Sequence, residues 1–169
     1  MAYIEKFLGK KVEIPEDRRY EVKPGLWAKP EGLELRFGLT EPELILIGGV
    51  NDLEWLSWDG EEVSQGQSLA IAITGKIKYI DAPVSGVLRL NHQVKEAASL
   101  IAQDPYGQGW FFQIKPTSWS EDNFQALASA EDYILSLQNS EGCKNPEGLK
   151  GGVSGICKAV YTGIKEQKF

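Results

Sequence analysis

Leu69-Ala-Ile-Ala-Ile-Thr-Gly-Lys-Ile-Lys-Tyr-Ile-Asp-Ala-Pro-Val-Ser-Gly86 holds two strand-like runs on either side of a short polar tip. Leu69, Ile71 and Ile73 alternate with Ala70, Ala72 and Thr74, which predicts a strand that buries one face and keeps the other small. Thr74-Gly-Lys76 reads as the turn, and Ile77 and Tyr79 start the return strand. Pro83 falls where a strand ends or an edge begins. The tip puts Lys76 within reach of a modifying enzyme, where it could carry a swinging prosthetic group. Taken by itself, a lysine on a turn is ordinary. Lys78 would share a face with Lys76 in an extended return strand, and reads first as a solvent-facing charge.

The flanks extend the pattern. Leu33-Glu-Leu-Arg-Phe37 alternates as a half-buried strand does, and Asp52 to Leu56 reads as another. Asp59-Gly60 and Gln65-Gly66 are turn signals. Val84 to Asn91 gives a turn and strand, and Trp110 to Lys115 a strand closed by Pro116. Thr40-Glu-Pro-Glu43 predicts a capping box, with Thr40 capping a short helix and Glu43 reaching back. Gly48-Gly49 stops that helix. Phe124, Leu127 and Ala128 are spaced as on a helix face, and Ser129 with Asp132 caps a second helix through Leu137. Beyond Gln138 the chain is rich in Gly, Lys and Ser, with a short helix expected near residues 156–165. Residues 1–19, charged from Lys10 to Arg19 and broken by Pro15, read as an extension or docking arm. Short strands followed by helices imply a mainly β fold, a sandwich or barrel with small helices at its side.

Composition narrows the function. A chain of 169 residues is long enough for one domain with a real core. Its net charge of −6 argues against a nucleic-acid backbone as partner. No apolar run reaches the length of a membrane span, and the start lacks a signal-peptide core, so a cytoplasmic location is expected. Cys143 and Cys157 could form a disulfide, a redox pair or part of a metal site. Two unpaired thiols are the expectation, since no Cys-x-x-Cys motif is present. His92, the only histidine, reads as a loop residue. Trp27, Trp55, Trp58, Trp110 and Trp119 read mostly as packing, with one of Trp55 and Trp58 exposed. No Ser-His-Asp set, P-loop or dinucleotide fingerprint appears, so the chain is not expected to be an enzyme.

At Asp81-Ala-Pro-Val-Ser-Gly86 and Asp104-Pro-Tyr-Gly-Gln-Gly-Trp110 the chain resembles the H proteins of the glycine cleavage system. Gly38-Leu-Thr-Glu41, Gly60-Glu-Glu-Val-Ser-Gln-Gly66, Ile114-Lys-Pro116 and Ala130-Glu-Asp-Tyr133 extend the resemblance, in order, across residues 20–138. It implies a lipoyl/biotinyl-type flattened β-barrel sandwich, with a short helix in the N-terminal half and helices at the C-terminal side. Residues 1–19 and 139–169 are then extensions. It also implies a non-catalytic carrier whose Lys76 bears covalent lipoate. The arm would visit glycine decarboxylase, aminomethyltransferase and lipoamide dehydrogenase, after attachment by a lipoyl ligase.

The match departs from the family's pattern around the lysine. Counting forward from Gly66 puts the lipoyl position on Lys76; counting back from Pro83 puts it on Gly75. Ile73-Thr-Gly75 lacks the family's acidic residue, Ile77 replaces its alanine, and Gly25-Leu-Trp27 stands for its His-Glu-Trp. Two further readings therefore stay open: an H-like binding or scaffold module without lipoate, and a lipoyl carrier for a sulfur-oxidising heterodisulfide-reductase-like assembly.

Overall fold

The computed structural model describes residues 2–118 and 121–148. Their alternating apolar residues build eleven strands in three antiparallel sheets. In chain order these are β1 (Ala2–Phe7), β2 (Lys10–Ile14), β3 (Arg19–Glu21), β4 (Leu26–Glu31), β5 (Glu34–Leu39), β6 (Asp52–Trp55), β7 (Glu62–Val63), β8 (Ser68–Ile73), β9 (Ile77–Asp81), β10 (Gly86–Leu90) and β11 (Phe112–Pro116). The large sheet runs β3-β4-β5-β11-β10-β7, a second runs β6-β8-β9, and β1 pairs with β2 alone. Six short helices join them: α1 (Glu41–Ile47), α2 (His92–Glu96), α3 (Ser99–Gln103), α4 (Glu121–Gln125), α5 (Ala130–Leu137) and α6 (Glu141–Lys144).

The main core lies between the two larger sheets. Leu35, Phe37, Leu39, Leu88 and Ile114 of the large sheet share it with Leu53, Leu69, Ala72 and Ile80 of the smaller one. The architecture is the expected flattened sandwich with small helices, and its sheets stay open rather than closing into a barrel. One face differs from the simple alternation. The β8–β9 register shifts between Ser68 and Ala70, so past Leu69 the small residues Ala70, Ala72 and Thr74 turn inward. Ile73 turns out, 36% exposed. A bulge inserts one residue and so swaps the faces.

A second core sits at the other side. Phe7, Val12 and Ile14 are buried with Tyr20, Trp27, Ala130, Tyr133 and Leu137. Tyr20 stacks on Tyr133 with ring centroids 4.8 Å apart. The buried Trp27 Nε1 donates to the Pro105 carbonyl at 3.0 Å. The N-terminal segment is therefore not a loose arm. It is a hairpin whose two-residue turn holds Leu8 and Gly9 at φ of 50° and 81°. That turn is fastened by Leu8 N–H to the Gly142 carbonyl (3.2 Å) and Gly9 N–H to that of Pro146 (2.7 Å). Likewise, residues 141–144 are helical and packed against β1.

His92 is not a loop residue: it opens the first of two short helices, α2 and α3. Asn91 caps the first by accepting from Gln93 N–H at 3.2 Å. Thr40 caps α1 as expected, its Oγ1 accepting from Glu43 N–H at 3.2 Å. Glu43 does not reach back, because Thr40 N–H already donates to the Gly25 carbonyl at 3.0 Å. Ser129 caps α5 through Asp132 N–H at 3.1 Å. Trp119, Cys157 and the helix expected near 156–165 lie outside the described residues.

Candidate functional site

The last rung of the β8–β9 ladder is Ile73 opposite Ile77, which leaves Thr74, Gly75 and Lys76 as a three-residue apex. Thr74 is buried and points back under the turn. Its N–H and its hydroxyl both donate to the Lys76 carbonyl at 2.8 Å, and its Oγ1 accepts from Lys76 N–H at 2.9 Å. One threonine thus holds the Lys76 backbone from both sides. The Lys76 side chain is exposed and makes no hydrogen bond or ion pair to any described residue. Gly75 has open space where a Cβ would sit, and its φ lies outside the left-handed region. The apex therefore does not depend on glycine there.

Lys78 sits opposite Ala72, and its fate differs from that of Lys76. Its Nζ lies 3.0 Å from Glu43 Oε2 of α1, with the two side chains 20% and 14% exposed. Burial pushes the Glu43 carboxyl above its ordinary range, while the Lys78 ammonium pulls it down and only partly offsets that. This partnership was not legible from sequence, because the residues stand far apart along the chain and only the fold brings them together.

The outer face beside the apex follows from the ladder. One cross-strand row reads Asp52, Ile73, Ile77 and the next Glu54, Ile71, Tyr79. Ile77 and Tyr79 are exposed. Asp52 is the carboxylate in the row nearest the turn. It accepts from Leu53 N–H at 2.8 Å and from Lys95 Nζ at 3.3 Å, and these two donors hold it below the usual carboxylate range.

Elsewhere, His92 Nε2 pairs with Asp59 Oδ2 at 2.7 Å on the surface. Trp58 is the exposed member of its pair, and Trp55 is partly buried against the main core. Cys143 is a free, half-buried thiol against the second core. Among the described residues, no three His, Cys, Asp or Glu side chains converge as a metal site. No helix there is long and apolar enough to cross a membrane.

A flattened two-sheet sandwich carrying an apical lysine hairpin places the protein in the lipoyl-domain class of folds. Residues 18–140 match the family described as glycine cleavage H-protein, and the chain belongs to that family. It is 35% identical over 130 residues to a glycine cleavage system H protein of Thermus thermophilus, covering 76% of this chain and 98% of that one. It is 31% identical over 132 residues to that of Anaeromyxobacter sp. (strain K), covering 77% and 100%. A crystal structure of a glycine cleavage system H protein from Mycobacterium marinum aligns with a TM-score of 0.60 at 29% identity, over 72% of this chain and 96% of that one.

Proposed function

We propose that the protein carries lipoate on Lys76 and presents it in turn to partner enzymes of glycine cleavage. The observation that carries this reading is the apex itself: Lys76 is exposed and unpaired among the described residues, and Thr74 holds its backbone on both sides. An amide on Nζ would break no ion pair and enter no core, so the residues present fit the group. When attached, the dithiolane supplies the group-carrying and redox chemistry. What this chain contributes is display. The packed sheet behind β8 and β9 fixes the root of the arm, and tethering raises its concentration at each partner's site.

Family membership supports glycine decarboxylase, aminomethyltransferase and lipoamide dehydrogenase as partners, a lipoyl ligase as the modifying enzyme, and no catalysis by the chain itself. We place this activity in the cytoplasm and in residues 20–138, onto which the β1–β2 hairpin and α6 pack.

The test is intact mass after co-expression with a lipoyl ligase. A lipoyl-sized gain that disappears in Lys76→Arg is expected. No gain, in folded protein and with a ligase that modifies a known H protein in parallel, refutes the reading. One observation favours the lipoate-free binding module instead: residues 73–75 present no carboxylate to a ligase. That reading requires an unchanged mass.

A further inference from the structure

We infer that Glu43 determines which lysine of the hairpin can be acylated, by holding Lys78 and leaving Lys76 as the open amine. The inference rests on the carrier reading above and names the regulation of its site. Two lysines two residues apart on one hairpin present a selection problem. Acyl transfer from an acyl adenylate needs a free amine lone pair at the carbonyl carbon. The C–N bond forms, the C–O bond to phosphate breaks, the adenylate leaves with that electron pair, and the nitrogen gives up a proton. An ammonium held by a carboxylate must break that contact before its nitrogen can swing out to the acyl carbon.

Lys78 is so clamped, 3.0 Å from Glu43 Oε2, and both side chains are largely shielded from solvent. Lys76 has no such partner among the described residues. The clamp is built in advance by three neighbours. Thr40 Oγ1 takes Glu43 N–H at 3.2 Å, and Tyr133 OH holds that Oγ1 at 2.6 Å. Gly25 makes the space: a Cβ there would lie 2.5 Å from Glu43 Cβ. The ordering of α1 and of the turn before β4 therefore delivers a carboxylate to β9, and nothing comparable among the described residues reaches the apex.

Two measurements on the full chain test this. The first needs no ligase. Limiting N-hydroxysuccinimide acetate is applied, and the acetylated lysines are mapped by Glu-C digestion and mass spectrometry. In the wild type Lys76 should label about tenfold faster than Lys78, the factor expected of one charge-assisted hydrogen bond. In Glu43→Ala the gap should close to about twofold. Glu43→Gln, which keeps the side-chain volume, should close it in part and serves if the alanine variant fails to fold. Equal labelling in the wild type, or a gap unmoved in a folded Glu43 variant, overturns the inference.

The second measurement uses the ligase. Lys76→Arg should take no lipoate, whereas Lys76→Arg with Glu43→Ala should take it on Lys78. Lipoate on Lys78 while Glu43 is intact overturns the selection. So does a double variant that stays unmodified while the wild type is modified. If the wild type takes no lipoate but Glu43 still controls the labelling ratio, the carrier reading falls and the clamp stands.

Discussion

Replacing Phe7 with alanine tests whether the N-terminal hairpin belongs to the fold. The Phe7 side chain is fully buried in the second core. Burying a phenylalanine removes roughly 200 Å² from water, worth about 5 kcal/mol at about 25 cal/mol per Å². A compact unfolded state lowers this to about 3–4.5 kcal/mol. The site cannot collapse easily to recover the loss. The ring lies against the backbone of α6, where a Cβ on Gly142 would come within 2.2 Å of Phe7 Cζ. The surface facing the ring there is backbone, which cannot move in as a side chain would, so the cost should sit in the upper part of the range for Phe→Ala. With a urea m-value of about 2 kcal/mol/M, the unfolding midpoint should fall by about 2–2.3 M at unchanged m. Urea titration by far-UV circular dichroism measures it. A midpoint within about 0.3 M of wild type would mean the segment is an appendage, and the reasoning about the second core would be wrong.

Thr40→Ala removes a helix cap and leaves the Tyr133 hydroxyl without its partner, so it should cost about 2–3 kcal/mol; Tyr133→Phe leaves Thr40 capping α1 and should cost about 1 kcal/mol, both read by urea titration. Gly25→Ala forces a side chain to φ +72° and against Glu43, which should lower the melting temperature by roughly 4–8 °C in calorimetry. Asp59 is held below its ordinary range by His92 and by Leu90 N–H, so its contribution is present above about pH 3.8 and is lost as pH falls through its folded pKa. Asp59→Asn should therefore lower the urea midpoint near pH 6, and that loss should shrink as pH falls below 3.8; a loss independent of pH would refute the electrostatic origin.

What could be read in advance was local. The β8–β9 hairpin, the Thr40 and Ser129 caps and the strand ending at Pro116 each depend on neighbours a few residues away, and all appear where expected. What could not be read depends on distant partners. Ala2–Phe7 exposes half of its side chains and fully buries only one, so its alternation is weak; that buried residue, Phe7, meets α6 at the far end of the described chain. The helices α2 and α3 are five residues each, too short to show a helical period. Glu43 looked like the second half of a capping box because the Gly25 carbonyl, which takes the Thr40 N–H instead, lies on another strand connection. Along the hairpin, the sequence offered two lysines, and a tertiary ion pair distinguishes them.

The clasp between the β1–β2 turn and residues 142–146 has a consequence for synthesis. Phe7 leaves the ribosome about 135 residues before Gly142, which at about 5–20 residues per second is roughly 7–27 s. Through that interval the hairpin can pair its strands, but the ring of Phe7 lacks the α6 backbone that packs against it. The sandwich between the two sheets needs only residues up to β11 and can form first. The nascent chain thus has a fixed order of closure. The β8–β9 hairpin is in place before the first strand is buried, and any delay near the C-terminus prolongs the exposure of the N-terminus to chaperones.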